Sequence, residues 1–379
     1  MIAELVVEAT DGAARTGVLH LARGQVATPA FMPVATRGTV RAVPTHDVAA
    51  LRAPSGARFE VLLANTYHLM LRPGASTVAE LGGLGDFSGW PGPMLTDSGG
   101  YQVFSLGPDV SDDGAEFAST YDGTRVLLTP ELAVRTQELL GADVQMVLDV
   151  CPALPAPPEV LRRAVETTEA WARRALGART RIHDQSMFGI VQGGVDPDLR
   201  REAAERTVAL GFDGYALGGL SVGESRDEML PAIEAAVAVL PVDRPRYLMG
   251  VGDPVSMVEA VARGVDLFDC VLPTRLARHG TLLTDAGRLN IRRAEFARDR
   301  GPIEDGCGCP TCSRYERGYL RHLVSVDEQS AATLCSLHNL WWVLRLVERI
   351  RSAVAAGTLD GLRRTIAAAW APGGPSPSG

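Results

Sequence analysis

Apolar residues recur along the chain as short runs that each end in polar or glycine-rich positions. Eight stand out: FMPVAT (31–36), VLLANTYH (61–68), MLTDSGG (94–100), VQMVLDV (144–150), MFGIVQGG (187–194), GYALGGL (214–220), YLMGVGD (247–253) and LFDCVLP (267–273). Their length and composition predict buried strands. Between several of them, apolar positions fall three and four apart, which predicts helices over 158–176, 197–210, 226–239 and 254–262. Thr129-Pro130-Glu131 opens another, with a cap residue followed by proline at the first helical position. Alternating strands and helices imply a parallel sheet with crossovers, and eight such units predict an α/β fold of the closed (β/α)8, TIM-barrel kind.

The same pattern divides the chain. Within 1–28, LVVEAT and GVLHLA flank a DGAARTG turn and predict an N-terminal hairpin. The barrel is expected over 29–300, interrupted near 108–128 by an insertion with a hairpin around YDGTRVLLTPE. Residues 301–360 are expected to form a C-terminal zinc-binding subdomain with a long, strongly amphipathic helix over 339–356. The tail, 371–379, is rich in Gly, Pro and Ser and is expected to be disordered.

Composition narrows the class. With 46% hydrophobic and 22% charged residues, the chain is not a mostly disordered one. No apolar run approaches the ~20 residues of a membrane helix. The first residues, MIAELVVEATDG, lack a basic stretch followed by an apolar one. A cytoplasmic protein with no membrane partner is therefore expected. The net charge of −8 argues against coating nucleic acid by bulk charge, though not against a local basic patch. All 37 basic residues are Arg, which removes lysine as a Schiff-base nucleophile or phosphate ligand. Of the six Cys, three lie within six positions, and in a reducing compartment that clustering favours metal over disulfides.

Asn65, Asp97, Asp149, Gln192, Gly219, Gly252 and Asp269 each fall at or just past the end of a predicted strand. In a barrel those ends share one face, where active sites sit. Acids and amides without a cation suit a neutral, hydrogen-bonding ligand such as a nucleobase. The bland alternative for any single Asp is a helix cap. In LTDSGGYQVFSL (95–106), adjacent glycines let backbone approach a ligand closely and Tyr101 offers a stacking face; a plain strand-end turn would look similar. Asp269 interrupts an apolar strand, which is costly unless the acid is paired or functional. A carboxylate can act as a covalent nucleophile at an anomeric carbon with a second acid as acid/base, and Asp269 and Asp97 are candidates for that pair. Cys151 and Cys270 read as packed core thiols.

Cys307-Gly-Cys309-Pro-Thr-Cys312 with His338 supplies three thiolates and an imidazole, a closed tetrahedral set that predicts one structural Zn(2+) per chain. Cys335 reads as core. From Arg275 to Arg321, ten Arg face six acidic residues. That excess suits a polyanion docking surface beside the zinc module, or only a solvated face.

Taken together, LTDSGGYQVFSL, FGIVQGG, YALGGLSVGE, YLMGVGDP, GVDLFDCVLPTR and the Cys/His set resemble tRNA-guanine transglycosylases of the bacterial queuosine-pathway type, in order, from about residue 15 to 360. The resemblance implies a zinc-containing barrel that replaces guanine at the wobble position (34) of G-U-N anticodon tRNAs with 7-aminomethyl-7-deazaguanine. It implies Asp269 as the nucleophile on the ribose and Asp97 as the general acid/base. Base contacts are implied for Asp97, Ser98, Gly99, Gly100, Tyr101, Asp149, Gln192, Gly219, Leu220 and Met249, with Tyr101 and Met249 sandwiching the purine. RNA contacts are implied for Gly250, Val251, Gly252, Asp253, Pro254, Val255 and Ser256, and for Thr274, Arg275, Leu276, Ala277 and Arg278 around the flipped-out nucleotide. A homodimer is implied as well. Cys151 and Val222 match members that take the small aminomethyl base, whereas Val150 and the Ala277–Gly280 stretch depart from the usual pattern. The competing readings are a non-catalytic tRNA-binding subunit, which would have lost Asp97 and Asp269; a relative that inserts deazaguanine into DNA; and a hydrolase that only releases the base.

Overall fold

The computed structural model describes residues 3–371. Of the predicted tail only Ala371 falls within that range; the remainder lies outside the described residues.

Eight parallel strands form the central sheet: β1 (Ala30–Pro33), β2 (Leu62–Ala64), β3 (Met94–Thr96), β4 (Val144–Met146), β5 (Ser186–Val191), β6 (Gly214–Leu217), β7 (Arg246–Leu248) and β8 (Leu267–Cys270). Each falls within or overlaps one of the eight apolar runs. Neighbours pair in chain order from β2 to β8, and β8 returns to β1 with Asp269 opposite Met32. The remaining gap closes at a bridge between Val34 and Leu63. From β1 to β7 every strand residue is buried; only β8 opens, at Asp269 and Cys270. Strands covered on both faces read as unbroken apolar runs.

All five predicted helices form, four of them with a side-chain cap and Pro158–Ala178 with none. Thr129 accepts from the Leu132 N–H at 3.1 Å ahead of Pro130–Leu140. Asp196 caps Pro197–Leu210 through the N–H groups of Asp198 and Leu199. Ser225 and Glu228 form a reciprocal box ahead of Arg226–Val237. The helices after β1, β2 and β3 are short, Thr45–Ala50, Thr66–Leu71 and Gly100–Phe104, and no long apolar periodicity announces them. The insertion folds as a three-stranded antiparallel sheet, Asp109–Val110, Ala115–Ala118 and Arg125–Leu128.

The N-terminal hairpin, Glu4–Asp11 with Ala14–Leu21, gains a third strand, Gly24–Thr28. Two arginines fasten this sheet beneath the barrel. Arg15 forks onto Asp266, just before β8, at 2.7 and 2.6 Å. Arg23 reaches Asp143, just before β4, and the same carboxylate accepts from the Met94 N–H. Acids at the strand starts thus bind the lid and leave the opposite ends open.

The C-terminal helix differs from its expected form. It runs from Gln329 to Ala355, starting ten residues earlier than expected; it is buried without interruption from Cys335 to Leu344, and beyond that point Arg345, Glu348, Arg349 and Ser352 open the one polar face the sequence predicts. It packs against β1 and against the helix Leu272–Arg278. Asn339, fully buried within it, donates to Pro273 C=O and Thr281 C=O and accepts from the Leu283 N–H. A second apolar core, including Ala277, Leu282, Phe296, Leu320 and Cys335, crosses the boundary expected at residue 300.

Candidate functional site

The barrel mouth holds a cavity of about 660 Å³. Asn65 follows β2, Asp97 follows β3, Asp149 lies three residues past β4, Gln192 follows β5, Gly219 lies just past β6, Met249 follows β7, and Asp269 lies within β8. Seven residues far apart in the chain therefore meet at one rim. All but Gln192 line the cavity directly; Gln192 stands behind Asp149 and donates to it at 2.6 Å.

Asp269 accepts two hydrogen bonds, from the Tyr247 hydroxyl at 2.5 Å and the Gly250 N–H at 2.7 Å, both on Oδ1. No described residue donates to Oδ2. Burial lifts the carboxyl above its usual range, against the pull of these two donors. Asp97 is held on every side: Thr66 and Gly99 N–H donate to Oδ1, and Asn65 and Gln102 side chains donate to Oδ2. Burial, opposed by these donors and aided by the charge of Asp269, raises its pKa to about 6. Asp149 accepts from Ser98 and Gln192 and is likewise raised to about 6 by burial.

The glycines of the DSGG segment serve this arrangement. Gly99 adopts φ +82°, and a Cβ on Gly100 would come within 3.0 Å of the Asp149 carboxylate. Tyr101, 61% exposed, stands over the cavity, and Met249 also lines it. A Cβ on Gly219, at φ +64°, would lie 2.3 Å from Gln192 Oε1. Cys151 and Cys270 are pushed up to about 12 by burial, so both stay neutral thiols, in keeping with their reading as packed rather than nucleophilic.

The segments expected to touch RNA are placed unevenly. Gly250 and Arg275 are exposed, while Asp253, Leu276 and Arg278 are half-buried. Val251, Gly252, Pro254, Val255, Ser256, Thr274 and Ala277 are buried and shape the loops from within. Asp253 caps Pro254–Val261 and pairs with Arg226 at 2.9 Å. Arg278 is lowered first by burial, then by Arg41 and Arg275, and its Nη1 is buried without a partner.

Tyr247 and Gln102, which hold the two central acids, escape the sequence reading. Gln102 sits beside Tyr101 in an already dense motif and could have been found there. Tyr247 lies in the middle of β7, and nothing in the sequence shows that its hydroxyl turns inward.

Away from the mouth, Cys307, Cys309, Cys312 and His338 bring one ligand atom each within 4.8 Å of one another. His338 Nε2 lies 2.8 Å from Leu283 C=O, which it can reach only as a donor; Nδ1 is then left to face the thiols at 3.4–3.8 Å. The donors fit a single metal ion.

A closed parallel barrel with Asp97, Asp149 and Asp269 gathered at one cavity in its C-terminal mouth has the layout of a barrel enzyme. Comparison with known proteins makes this specific. A family profile described as queuine tRNA-ribosyltransferase matches residues 10–372. Relatives named queuine tRNA-ribosyltransferase include those of Symbiobacterium thermophilum, 48% identical over 97% of this chain and 91% of its own, and of Novosphingobium aromaticivorans, 49% identical over 93% and 94%. The Thermus thermophilus relative is 48% identical over 95% of this chain and 92% of its own. The chain belongs to the queuine tRNA-ribosyltransferase family, the tRNA-guanine transglycosylases, and is an enzyme of that class.

Proposed function

We propose that this protein exchanges guanine at the wobble position (34) of G-U-N anticodon tRNAs for 7-aminomethyl-7-deazaguanine through a covalent link between Asp269 and the ribose. The observation that carries the reading is the one-sided holding of Asp269. Two donors fix Oδ1, and Oδ2 is left without a protein donor beside the cavity. A carboxylate so held is oriented but not fully quenched, as a nucleophile requires.

The steps balance without an outside cofactor. Asp269 forms a bond to the anomeric carbon as the bond to guanine breaks, and the electron pair leaves with the purine. Asp97, with a pKa near 6, can give a proton to the departing base. The same carboxylate then takes a proton from the incoming base, which attacks the anomeric carbon and releases Asp269. Two displacements give retention. Asp149, oriented from behind by Gln192, would read the purine edge with backbone groups at Gly219 and Leu220, and Tyr101 and Met249 would cover its faces. The retained pair of acids favours this over a non-catalytic subunit.

The Cys/His cluster is proposed to hold zinc: three thiolates and one imidazole leave no open position, so the ion would be structural and take no part in the exchange. It would tie the loop at 307–312 to the buried helix. A homodimer and a cytoplasmic setting are part of the same proposal; free thiols and a tRNA substrate suit the latter. The test is incorporation of labelled guanine into tRNA. Asp269→Asn should abolish it, with a melting temperature no lower than wild type as the control for folding. Retained exchange in that variant would reject the nucleophile.

A further inference from the structure

Arg200 is fully buried, yet it forms no salt bridge with any described residue. Its guanidinium donates instead to three backbone carbonyls: Nη1 to Val191 at 2.8 Å, Nε to Gly194 at 2.7 Å and Nη2 to Gly219 at 3.3 Å. Burying a cation against neutral groups alone is costly. Arg15, by contrast, is buried against Asp266 and pairs with it, while Arg246, likewise buried, donates to backbone carbonyls far from the cavity mouth. The cost at Arg200 is offset by no ion pair, so its value to the protein lies in what the three carbonyls hold.

Val191 and Gly194 bracket the turn that presents Gln192. Gly193 and Gly194 take positive φ of 129° and 60°, a backbone that would not keep this shape unaided. Gly219 is the residue over which the Gln192 carboxamide packs, and Gln192 in turn donates to Asp149. One guanidinium thus locks the loop after β5 to the loop after β6, just behind the wall formed by Gly219, Cys151 and Glu224. Its charge is felt by both Cys151 and Glu224, which line the cavity. With the Gly219 carbonyl drawn backward to Arg200, the Gly219–Leu220 peptide plane is fixed relative to the cavity.

The geometry points to Arg200 as a positioning residue for purine recognition: it sets the affinity of the site for the free base by fixing the Gln192 turn against Gly219, and leaves the tRNA-docking surface untouched. This rests on the base-exchange reading above. Lysine keeps the charge but cannot span three carbonyls, and glutamine keeps neither.

The experiment measures guanine KM, kcat and tRNA affinity for the wild type, Arg200→Lys and Arg200→Gln, with Arg15→Lys as a destabilised control at the far end of the barrel. The expected result is a guanine KM raised ten- to a hundredfold in both Arg200 variants, a kcat lowered less, and tRNA affinity within twofold of wild type. Arg15→Lys should lose melting temperature without that KM change. An unchanged guanine KM in a folded Arg200 variant would overturn the inference. So would parallel loss of guanine and tRNA binding, an equal KM rise in Arg15→Lys, or failure of both Arg200 variants to fold. A wild type that exchanges no guanine would instead reject the base-exchange reading.

Discussion

Asp97 and Asp149 are each lifted to about 6 by burial, although each accepts hydrogen bonds that pull the other way. Desolvation wins because the protein surrounds both carboxylates closely enough to penalise their charged forms. The consequence for stability has a definite sign. A carboxyl whose folded pKa lies above its unfolded value of 3.8 stabilises the fold when protonated, and that contribution is lost as pH rises from about 4 toward 6. Ionised Asp149 should therefore cost on the order of 3 kcal/mol at neutral pH. Asp149→Asn should melt several degrees higher than wild type at pH 7.5, and the gap should narrow toward pH 5. The same variant should bind guanine roughly 10- to 100-fold more weakly, the usual range for losing a charged hydrogen-bond acceptor. Melts at both pH values and a guanine titration check the pair. Gly219→Ala belongs at this scale too. Its methyl would overlap Gln192 Oε1 and its φ of +64° disfavours a side chain, so guanine binding should fall more than tenfold.

At the scale of elements, the eight strands were legible because each is buried on both faces and so appears as an apolar run. The long crossover helices were legible through caps and prolines, as at Thr129-Pro130. The helices of five and six residues after β1 to β3 were not, since one turn and a half carries too little periodicity. The long C-terminal helix was legible from its amphipathic half, but its buried start was not: Asn339, a polar residue at the expected boundary, is satisfied inside the protein by Leu283, Pro273 and Thr281. At the site, rim residues could be placed from strand ends, whereas the inward turn of Tyr247 and the three carbonyls gathered by Arg200 depend on how distant loops stack. The metal cluster yields a prediction for this element. Removing zinc with a chelator, or changing Cys309 to Ser, should lower the melting temperature by many degrees, followed by scanning fluorimetry. Exchange activity should fall only as the fold is lost. Elemental analysis should find about one zinc per chain.

Across the whole molecule, charge is distributed against its average. The chain carries −8 overall, yet ten arginines against six acids fall between Arg275 and Arg321. Arg41 and Arg275 both set their charge against Arg278, a repulsion that an arriving phosphate would relieve. Arg275→Ala and Arg278→Ala should each weaken tRNA binding and reduce the slope of log affinity against log salt by about one. Filter-binding titrations at several salt concentrations would read both effects. Guanine KM should stay within a fewfold, which separates this surface from the one that Arg200 governs. No helix among the described residues is long and apolar enough to cross a membrane.

The junction between β1 and β2 pairs at one bridge, Val34 with Leu63, and is crossed by two backbone hydrogen bonds, Ala35 N–H to Leu63 C=O and Asn65 N–H to Thr36 C=O, whereas β5 and β6 share a register of four residue pairs. A cylinder with one thin seam loosens there first. The amides of Ala35 and Asn65 should trade their protons for solvent deuterium sooner than those along β5 and β6. Asn65 holds Asp97, so exchange at this seam reports directly on how firmly the acid/base side of the mouth is fixed.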